Sequence, residues 1–227
     1  MHVEPPILVL PNAWDVASAK LLAALDGCRG LATSSAAVAR SLGFEDGERA
    51  PGSVMVEVAG RIAQAVDVPV TGDLERGYGD PVGTARAAWD AGLVGINFED
   101  STRAGLVEIE EQAAAIRAIR EAVPDLVINA RVDVFVRIGT GDVVEAAERG
   151  NAYLEAGADC IYPILAPVNS IDALVHRIKG PLNVIAEPKT PPPAELDELG
   201  VARMTWGSNL ATAAYAEAVR IAALALA

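Results

Sequence analysis

Two carboxylates stand one residue apart in residues 68–80, VPVTGDLERGYGD. The first three residues of this segment predict a short buried strand, and Asp73 and Glu75 follow it, so an extended chain would point both side chains to the same side. Carboxylates at the end of a buried strand are unfavourable unless a cation or a substrate uses them. The segment therefore predicts a site of chemistry. The alternative is that one residue caps the next helix, which Asp80 and Pro81 can begin, while the other is exposed.

Arg131 follows an apolar run later in the chain, in the sequence NARVD. A guanidinium group can hold a substrate carboxylate through a bidentate pair of hydrogen bonds, so Arg131 is a candidate for substrate binding. The alternative is that Arg131 simply pairs with Asp133 or Glu99. The sequence alone supports both interpretations equally.

Hydroxyl and amide side chains follow two further apolar runs. Ser34 and Ser35 come after the second run and could offer hydroxyl and backbone N–H groups to an anion, although serines at such positions also cap helices. Asn209 comes after the last run. These three residues are candidates for substrate binding.

The elements that carry these residues alternate along the chain. Eight short apolar runs predict strands, and they lie at residues 7–10, 30–33, 68–70, 95–98, 126–128, 160–162, 182–186 and 202–205. Eight segments between and after these runs predict helices, and they lie at residues 16–25, 54–66, 84–91, 109–122, 143–156, 171–178, 194–199 and 211–227. Eight such repeats in 227 residues are typical of a parallel (β/α)8 TIM barrel, which usually takes about 250 residues. An open doubly wound sheet would usually carry a GxGxxG turn after the first strand, and PNAWD at residues 11–15 is not one. We therefore predict one barrel domain over residues 1–227.

A barrel of this kind brings all strand carboxyl ends to one face, where the active site lies. Asp73, Glu75 and Glu99 would then form an acidic cluster that is too repulsive to stay ionised without a partner. Mg²⁺ prefers oxygen ligands and keeps several of its waters, so one or two direct carboxylates suffice. We predict a Mg²⁺ site at these three residues.

The composition limits the partners. The net charge is −13 and no basic cluster occurs, which disfavours nucleic acid. Cys28 and Cys160 form no CxxC motif, which is typical of a reducing cytoplasm, and the absence of a signal segment and of a long apolar run predicts a cytoplasmic protein without a membrane span. The apolar tail at residues 211–227 contains Glu217 and Arg220 and predicts an amphipathic helix that covers the barrel or a neighbouring subunit.

Seven segments together resemble the isocitrate lyase/phosphoenolpyruvate mutase superfamily. They are PNAWDVASA, ATSSAAVARSLGFED, GDLERGYGD, GINFED, NARVD, EAGADCIYP and WGSN, in the right order over residues 11–209. The resemblance implies a (β/α)8 barrel and a 2-oxo acid or its enol as ligand. It also implies Mg²⁺ near Asp73, Glu75 and Glu99, with Asp46 on the loop after the second strand.

Enzymes of this superfamily make or break a C–C or P–C bond beside a carbonyl through an enolate, whose charge the metal stabilises. By similarity, Arg131 holds the substrate carboxylate, and Ser34 and Ser35 line the same pocket. Members are commonly tetramers whose last helix packs on a neighbour. The resemblance therefore implies a homo-oligomer, a dimer or a tetramer.

The chain departs from the superfamily after the fourth strand. The lyase branch carries a Lys-x-Cys-Gly loop there, with the cysteine as acid/base, whereas residues 100–111, DSTRAGLVEIEE, contain no cysteine, lysine or histidine. The longer mutase loop with lysine and asparagine is missing too. The resemblance is therefore to the phosphoenolpyruvate mutase-like branch without the lyase loop, and Asp46, Arg103 and Tyr78 are the remaining candidates for the proton donor.

Three functions remain open. The first is a Mg²⁺-dependent lyase-type enzyme that cleaves or decarboxylates a small 2-oxo acid through an enolate. The second is P–C bond chemistry of the phosphoenolpyruvate mutase or phosphonopyruvate hydrolase type. The third is a barrel that binds a carboxylate without turnover.

Overall fold

The computed structural model describes residues 6–137 and 142–226, the side chain of Arg137 excepted. Within these ranges the strands are β1 Leu8–Leu10, β2 Asn12–Ala13, β3 Leu31–Thr33, β4 Val70–Asp73, β5 Gly95–Glu99, β6 Ser101–Thr102, β7 Gly105–Leu106, β8 Val127–Val132, β9 Cys160–Pro163, β10 Asn183–Ile185 and β11 Arg203–Thr205. The helices are α1 Val16–Ala23, α2 Ser35–Ser41, α3 Gly52–Gln64, α4 Pro81–Asp90, α5 Ile109–Ala122, α6 Val134–Arg137, α7 Val143–Glu155, α8 Ile171–Arg177, α9 Pro193–Glu198 and α10 Asn209–Leu226, with a 3₁₀ turn at Val168–Ser170. The predicted alternation of strands and helices is confirmed.

Nine of the described strands form two parallel sheets, and β6 and β7 pair antiparallel in a third. One has the order β2-β3-β4-β5-β8-β9 and the other β1-β11-β10, and only Pro11 separates β1 from β2. An isolated parallel bridge joins Ile161 of β9 to Leu182, just before β10. The register places Asp73 opposite Asn97 and Glu99 opposite Arg131. Because the strands run parallel, their carboxyl ends bring these polar side chains to the same edge.

Local sequence explains where several helices begin. Asp15 caps α1 and its partner Ser18 completes a capping box, while Asp80 caps α4 with proline in the first turn. Helix α5 shows how the helices are held: Ala113, Ile116 and Ile119 are buried at helical spacing. Each fully buried isoleucine stabilises the fold by roughly 1.5–3 kcal/mol, so packing rather than helix propensity holds these elements.

The predicted element pattern is wrong in several places, among them the fifth strand, which is Val127–Val132 rather than 126–128. The third strand is Val70–Asp73 rather than 68–70, so Asp73 lies within the strand. Helix α2 was not predicted, because its first residues were assigned to a strand end and the residues after it to a loop. The short hairpin β6–β7 and helix α6 were not predicted either, since two to four residues leave no periodicity to recognise.

Helix α10 is the most exposed of the longer helices. Of its residues, Ala211 is buried, whereas Val219 and Leu224 are 70% and 72% exposed. None of the helices in the described part of the chain has both the length and the hydropathy to cross a bilayer.

Candidate active site

Asp73 lies at the end of β4 and uses only one of its two carboxylate oxygens within the described protein. Its Oδ2 accepts hydrogen bonds from the Ser35 backbone N at 3.0 Å and from the Ser35 Oγ at 2.9 Å. Its backbone N donates to Thr33 Oγ1 at 2.9 Å. Its Oδ1 is buried and has no hydrogen-bond partner among the described residues. Because a buried unsatisfied oxygen is unfavourable, this atom indicates a position for a water or a cation.

Glu75 does not extend the strand, so the prediction of an extended chain through Asp73 and Glu75 is wrong. Glu48, Glu75 and Tyr78 all have left-handed backbone conformations, with φ of 59°, 50° and 54°. They hold one another: Glu75 Oε2 accepts from the Glu48 backbone N at 2.6 Å, Glu75 Oε1 from the Tyr78 hydroxyl at 3.2 Å, and Glu48 Oε1 from the Tyr78 backbone N at 2.6 Å. Strained residues of this kind cluster at functional sites.

The Glu75 carboxyl nevertheless faces the other acids. Burial, followed by the charges of Asp46 and Asp73, raises the pKa of Glu75 to about 7, although the bonds from Glu48 and Tyr78 oppose the shift. Asp46 is exposed when its whole surface is considered, but its carboxyl group is partly buried. That burial and the nearby Asp73 raise the pKa of Asp46. The acidic side chains that were predicted to cluster, Asp73, Glu75 and Glu99, therefore lie close enough for their charges to interact.

Arg131 is paired with protein carboxylates, as the alternative interpretation of this residue held. Its guanidinium forms an ion pair with Glu99 and donates to Asp133 from Nε at 2.6 Å and from Nη2 at 3.1 Å. Burial opposes its charge, but Glu99, Asp133 and Asp73 more than offset this effect and raise the pKa of Arg131. For Glu99, burial and the charges of Asp73, Asp133 and Glu75 raise the pKa, and Arg131 opposes them.

Ser34 and Asn209 have structural hydrogen bonds. Ser34 caps α2 by accepting from the Ala37 backbone N at 3.3 Å, and Asn209 donates to the Ala186 carbonyl at 3.0 Å while remaining exposed. The structure thus brings Ser35 against Asp73 and gives Ser34 and Asn209 other contacts. A substrate role for these three residues stays a prediction.

A cavity of about 490 Å³ opens beside the acidic cluster. Glu75 and Glu99 line it together with three arginines, Arg49, Arg76 and Arg103. Arg76 is already bound to Glu111 and Gln112 of α5. The β6–β7 hairpin, which replaces the expected catalytic loop, forms part of the wall. The cavity therefore joins carboxylates to cationic side chains in one space.

A buried network of hydrogen bonds around Asp100 supports Arg131, and no pattern in the sequence indicates it. Asp100 Oδ1 accepts from the Asp133 backbone N at 2.8 Å, and Asp100 Oδ2 accepts from the Tyr153 hydroxyl at 2.9 Å and from Arg149 at 3.3 Å. Arg149 also donates to the Val107 carbonyl at 2.9 Å, next to the hairpin. Asp100 in GINFED was visible as a polar residue at a strand end, whereas nothing in the pattern of α7 distinguished Arg149 or Tyr153.

The residues present fit a divalent cation that keeps much of its water. Among the described residues, no group of three or more Asp, Glu, His or Cys side chains is arranged to enclose a metal by itself. The free Oδ1 of Asp73 could supply one direct oxygen, and Asp46, Glu75 and Glu99 would add negative charge around it. Mg²⁺ commonly binds through one or two carboxylates and several waters, which is compatible with this arrangement.

Comparison with known proteins places the chain in a family. A family model described as phosphoenolpyruvate phosphomutase matches residues 1–226. An uncharacterized protein of Mycobacterium tuberculosis is 35% identical over 92% of this chain and 80% of its own length. A 2-methylisocitrate lyase of Bacillus subtilis is 34% identical over 82% of this chain and 66% of its own length. The crystal structure of phosphonopyruvate hydrolase in complex with oxalate and Mg²⁺ matches with a TM-score of 0.83 and 30% identity, covering 94% of this chain and 80% of that chain.

The chain therefore belongs to the phosphoenolpyruvate phosphomutase family, within the isocitrate lyase/phosphoenolpyruvate mutase superfamily. The family predicted from the sequence motifs is confirmed. The named enzymes among these relatives are a lyase and a phosphonopyruvate hydrolase, which confirms the predicted general class, an enzyme of the lyase or phosphomutase type.

Proposed function

We propose that this protein is a Mg²⁺-dependent lyase-type enzyme that acts on a small 2-oxo acid through an enolate. The observation that carries the proposal is the free, buried Oδ1 of Asp73, which lies among further carboxylates and near Arg131. This arrangement supplies negative charge for a cation and a guanidinium for an anion in one site. A 2-oxo acid needs both, because its carbonyl oxygen becomes negative when the enolate forms while its carboxylate is already charged.

Asp73 would hold the cation directly, and the negative charges of Glu75 and Glu99 would attract it to the same acidic cluster. When bound, Mg²⁺ supplies Lewis-acid stabilisation of charge on the 2-oxo oxygen. Ser35 keeps the Asp73 carboxylate in one orientation through its two hydrogen bonds to Oδ2. Glu48 and Tyr78 do the same for Glu75, which prevents that side chain from turning toward solvent.

Arg131 would orient the substrate carboxylate. A guanidinium has five N–H donors, and the observed bonds to Glu99 and Asp133 use one donor on each of its three nitrogens. Two N–H groups therefore stay available, one on each terminal nitrogen, which is the arrangement that a carboxylate accepts in a bidentate fashion. Pairing with protein carboxylates and binding of substrate are thus compatible for Arg131.

Asp46 would exchange the proton at the reacting carbon. Its raised pKa keeps the carboxyl protonated, and so able to donate, up to a higher pH than an ordinary aspartate. Tyr78, whose hydroxyl donates to Glu75, is the second candidate. The hairpin that replaces the lyase loop contributes Arg103 to the cavity but no thiol. This difference disfavours cleavage of isocitrate-type substrates by a cysteine acid and favours simple decarboxylation or retro-aldol cleavage.

P–C bond chemistry is the second candidate, and a specific observation favours it. Three arginines line the cavity next to the carboxylates, which suits a dianionic phosphoryl group. The phosphonopyruvate hydrolase that this chain resembles supports the same idea.

We also propose that the two sheets form one closed (β/α)8 barrel and that the protein is a homo-oligomer. The Ile161–Leu182 bridge supports closure on one side, and the continuity from β1 to β2 supports it on the other.

The exposed apolar face of α10 supports packing on a second copy, in a dimer or a tetramer. The single domain over residues 1–227 and the cytoplasmic location stay predictions.

A thermal-shift experiment with oxalate, which mimics an enolate, tests the proposal. Oxalate is expected to raise the melting temperature only when Mg²⁺ is present. Progress curves with oxaloacetate and with phosphonopyruvate then separate C–C from P–C cleavage. Binding of oxalate without turnover of either compound would favour a non-catalytic carboxylate-binding barrel. Full turnover in metal-free protein would contradict the proposed mechanism.

A further inference from the structure

A second cavity lies at the opposite end of the strands from the acidic cluster. Its volume is about 90 Å³, and its walls include Leu8, Leu31, Gly95 and Val127, which begin β1, β3, β5 and β8. Arg203, the first residue of β11, also lines it. Because the acidic cluster lies at the carboxyl ends of these strands, this cavity is a separate feature at their amino-terminal ends.

Arg203 is an unpaired cation within the described part of the chain. Its side chain is 1% exposed, and its Nε and one terminal nitrogen, Nη2, are buried without a hydrogen-bond partner. No carboxylate in residues 6–137 or 142–226 forms an ion pair with it, in contrast to the buried Arg131 and Arg149. Burial lowers the pKa of Arg203. A buried guanidinium without a counter-ion is strongly unfavourable, so the group requires a partner.

The walls of the cavity carry groups that would bind an anion. The Thr71 hydroxyl is buried and has no hydrogen-bond partner among the described residues, so it can donate into this space. Arg29 adds a second guanidinium, of which Nη2 is used by the carbonyls of Pro6 and Ile7 at 3.0 Å each. The described residues that line the cavity include two arginines and no acid. A water occupies about 30 Å³ of liquid volume, so the cavity has room for a small anion or for about three waters.

We propose that this cavity binds a small monovalent anion of about the size of chloride, held by Arg203 and Thr71. The anion neutralises the buried guanidinium and stabilises the folded chain by RT ln(1 + c/Kd), where c is the anion concentration, so that the stabilisation grows with the logarithm of the concentration above Kd. This site is independent of the proposed catalytic function, because its residues belong to the other end of the sheets.

Unfolding temperatures in sodium chloride and in sodium gluconate at equal concentration test the site, because gluconate is too large for the cavity. The wild-type protein is expected to melt a few degrees higher in chloride. Arg203→Met should abolish the difference, and Arg86→Met, which removes an exposed arginine on α4, should preserve it. Since Arg203→Met can fail to fold, Thr71→Val provides a milder variant that should reduce the chloride effect.

Crystals soaked in sodium bromide give a direct readout of the same site. An anomalous peak beside the Arg203 guanidinium is the expected result. Waters alone in the cavity, together with equal melting temperatures in the two salts, would show that solvent satisfies Arg203 and would overturn the proposal.

Discussion

At the scale of single residues, the most informative feature of the site is that the two carboxylate oxygens of Asp73 differ in their hydrogen bonds. Oδ2 is fixed by Ser35 and Oδ1 is buried without a partner among the described residues. A carboxylate that served only to stabilise the fold would be expected to use both oxygens, because the unsatisfied one costs free energy. The asymmetry is therefore the feature that distinguishes a ligand-binding aspartate from a structural one.

Asp73→Asn tests that distinction with almost no change of shape. The variant is expected to lose the Mg²⁺-dependent stabilisation by oxalate and to lower turnover a hundredfold or more, because Lewis-acid stabilisation is worth several kcal/mol. Asp67→Asn is the matched control, since Asp67 is exposed and precedes the same strand at its other end. Thermal shift and initial rates with oxaloacetate and phosphonopyruvate measure both effects. An Asp73→Asn protein that still binds oxalate with Mg²⁺ would remove Asp73 from the metal site.

The raised pKa of Glu75 predicts how the free energy of unfolding of the metal-free protein depends on pH. Its pKa rises from 4.5 in the unfolded chain to about 7 when folded, so between these values the folded state binds more protons than the unfolded state. The free energy of unfolding should therefore fall as the pH rises from about 4.5 to about 7, by at most about 3 kcal/mol from this residue.

Urea denaturation in EDTA between pH 5 and pH 8 measures this slope. Glu75→Gln should flatten it in part, because Asp46 and Glu99 also have raised pKa values and contribute in the same direction. Glu57→Gln, on the exposed face of α3, is the control and should leave the slope unchanged. A wild-type protein whose stability increases across this range would contradict the assigned environment of Glu75.

The sequence predicted which residues meet at the site better than it predicted how they meet. Asp73, Glu75, Glu99 and Arg131 were identified as residues that follow apolar runs. The parallel register places Asp73, Glu99 and Arg131 on neighbouring strands, whereas Glu75 lies on the turn after β4. The left-handed turn at Glu75 was not foreseeable, because glutamate has no preference for that conformation and tertiary contacts, including the bonds to Glu48 and Tyr78, maintain it.

At the scale of elements, the β6–β7 hairpin depends on helix α7. Arg149 of α7 holds Asp100 before the hairpin and the Val107 carbonyl after it, and Tyr153 shares Asp100. Asp100 in turn holds the backbone of Asp133, which binds Arg131. The wall of the cavity and the orientation of Arg131 thus depend on one buried ion pair between distant parts of the chain.

Arg149→Met should therefore be strongly destabilising. The substitution leaves Asp100 buried without its cation, which typically costs about 3–5 kcal/mol of unfolding free energy. Arg117→Met is the control: Arg117 forms an exposed pair with Glu110 on the surface of α5, and its loss should cost less than about 1 kcal/mol. Urea unfolding curves compare the two variants. Equal midpoints for both would show that the Arg149–Asp100 pair does not support the fold.

The sequence predicted long elements well and short ones poorly, for a physical reason. Helix α5 was predicted with its observed bounds, Ile109–Ala122, because fourteen residues give a clear helical period and Pro124 limits it. The β6–β7 hairpin and α6 are fixed by tertiary contacts such as the bond from Ser101 to Asp133, which local periodicity cannot reveal. The Arg149 network was missed for the same reason.

At the scale of the whole molecule, helix α10 is unlike the other long helices. The exposed apolar residues of this helix include Val219, Ile221, Leu224 and Leu226, which are 70%, 56%, 72% and 88% exposed. Its base is held by Ala211 and by an edge-to-face contact between Tyr215 and Trp14, whereas the rest has little to pack against in its own chain. A helix with this much exposed apolar surface is typical of an interface, so a second copy is the partner that we propose.

Leu224→Glu tests the assembly. Burying one leucine contributes roughly 1.5–3 kcal/mol, and an interface that buries it should lose at least that amount, which raises the dissociation constant about 10- to 100-fold for each copy of the contact. Val144→Glu is the control, because Val144 is 55% exposed on α7 and its replacement should leave assembly unchanged. Sedimentation velocity across a range of protein concentrations measures both variants against the wild type. A wild-type protein that sediments as a monomer at every concentration, or a Leu224→Glu variant that assembles as tightly as the wild type, would mean that α10 does not mediate self-association.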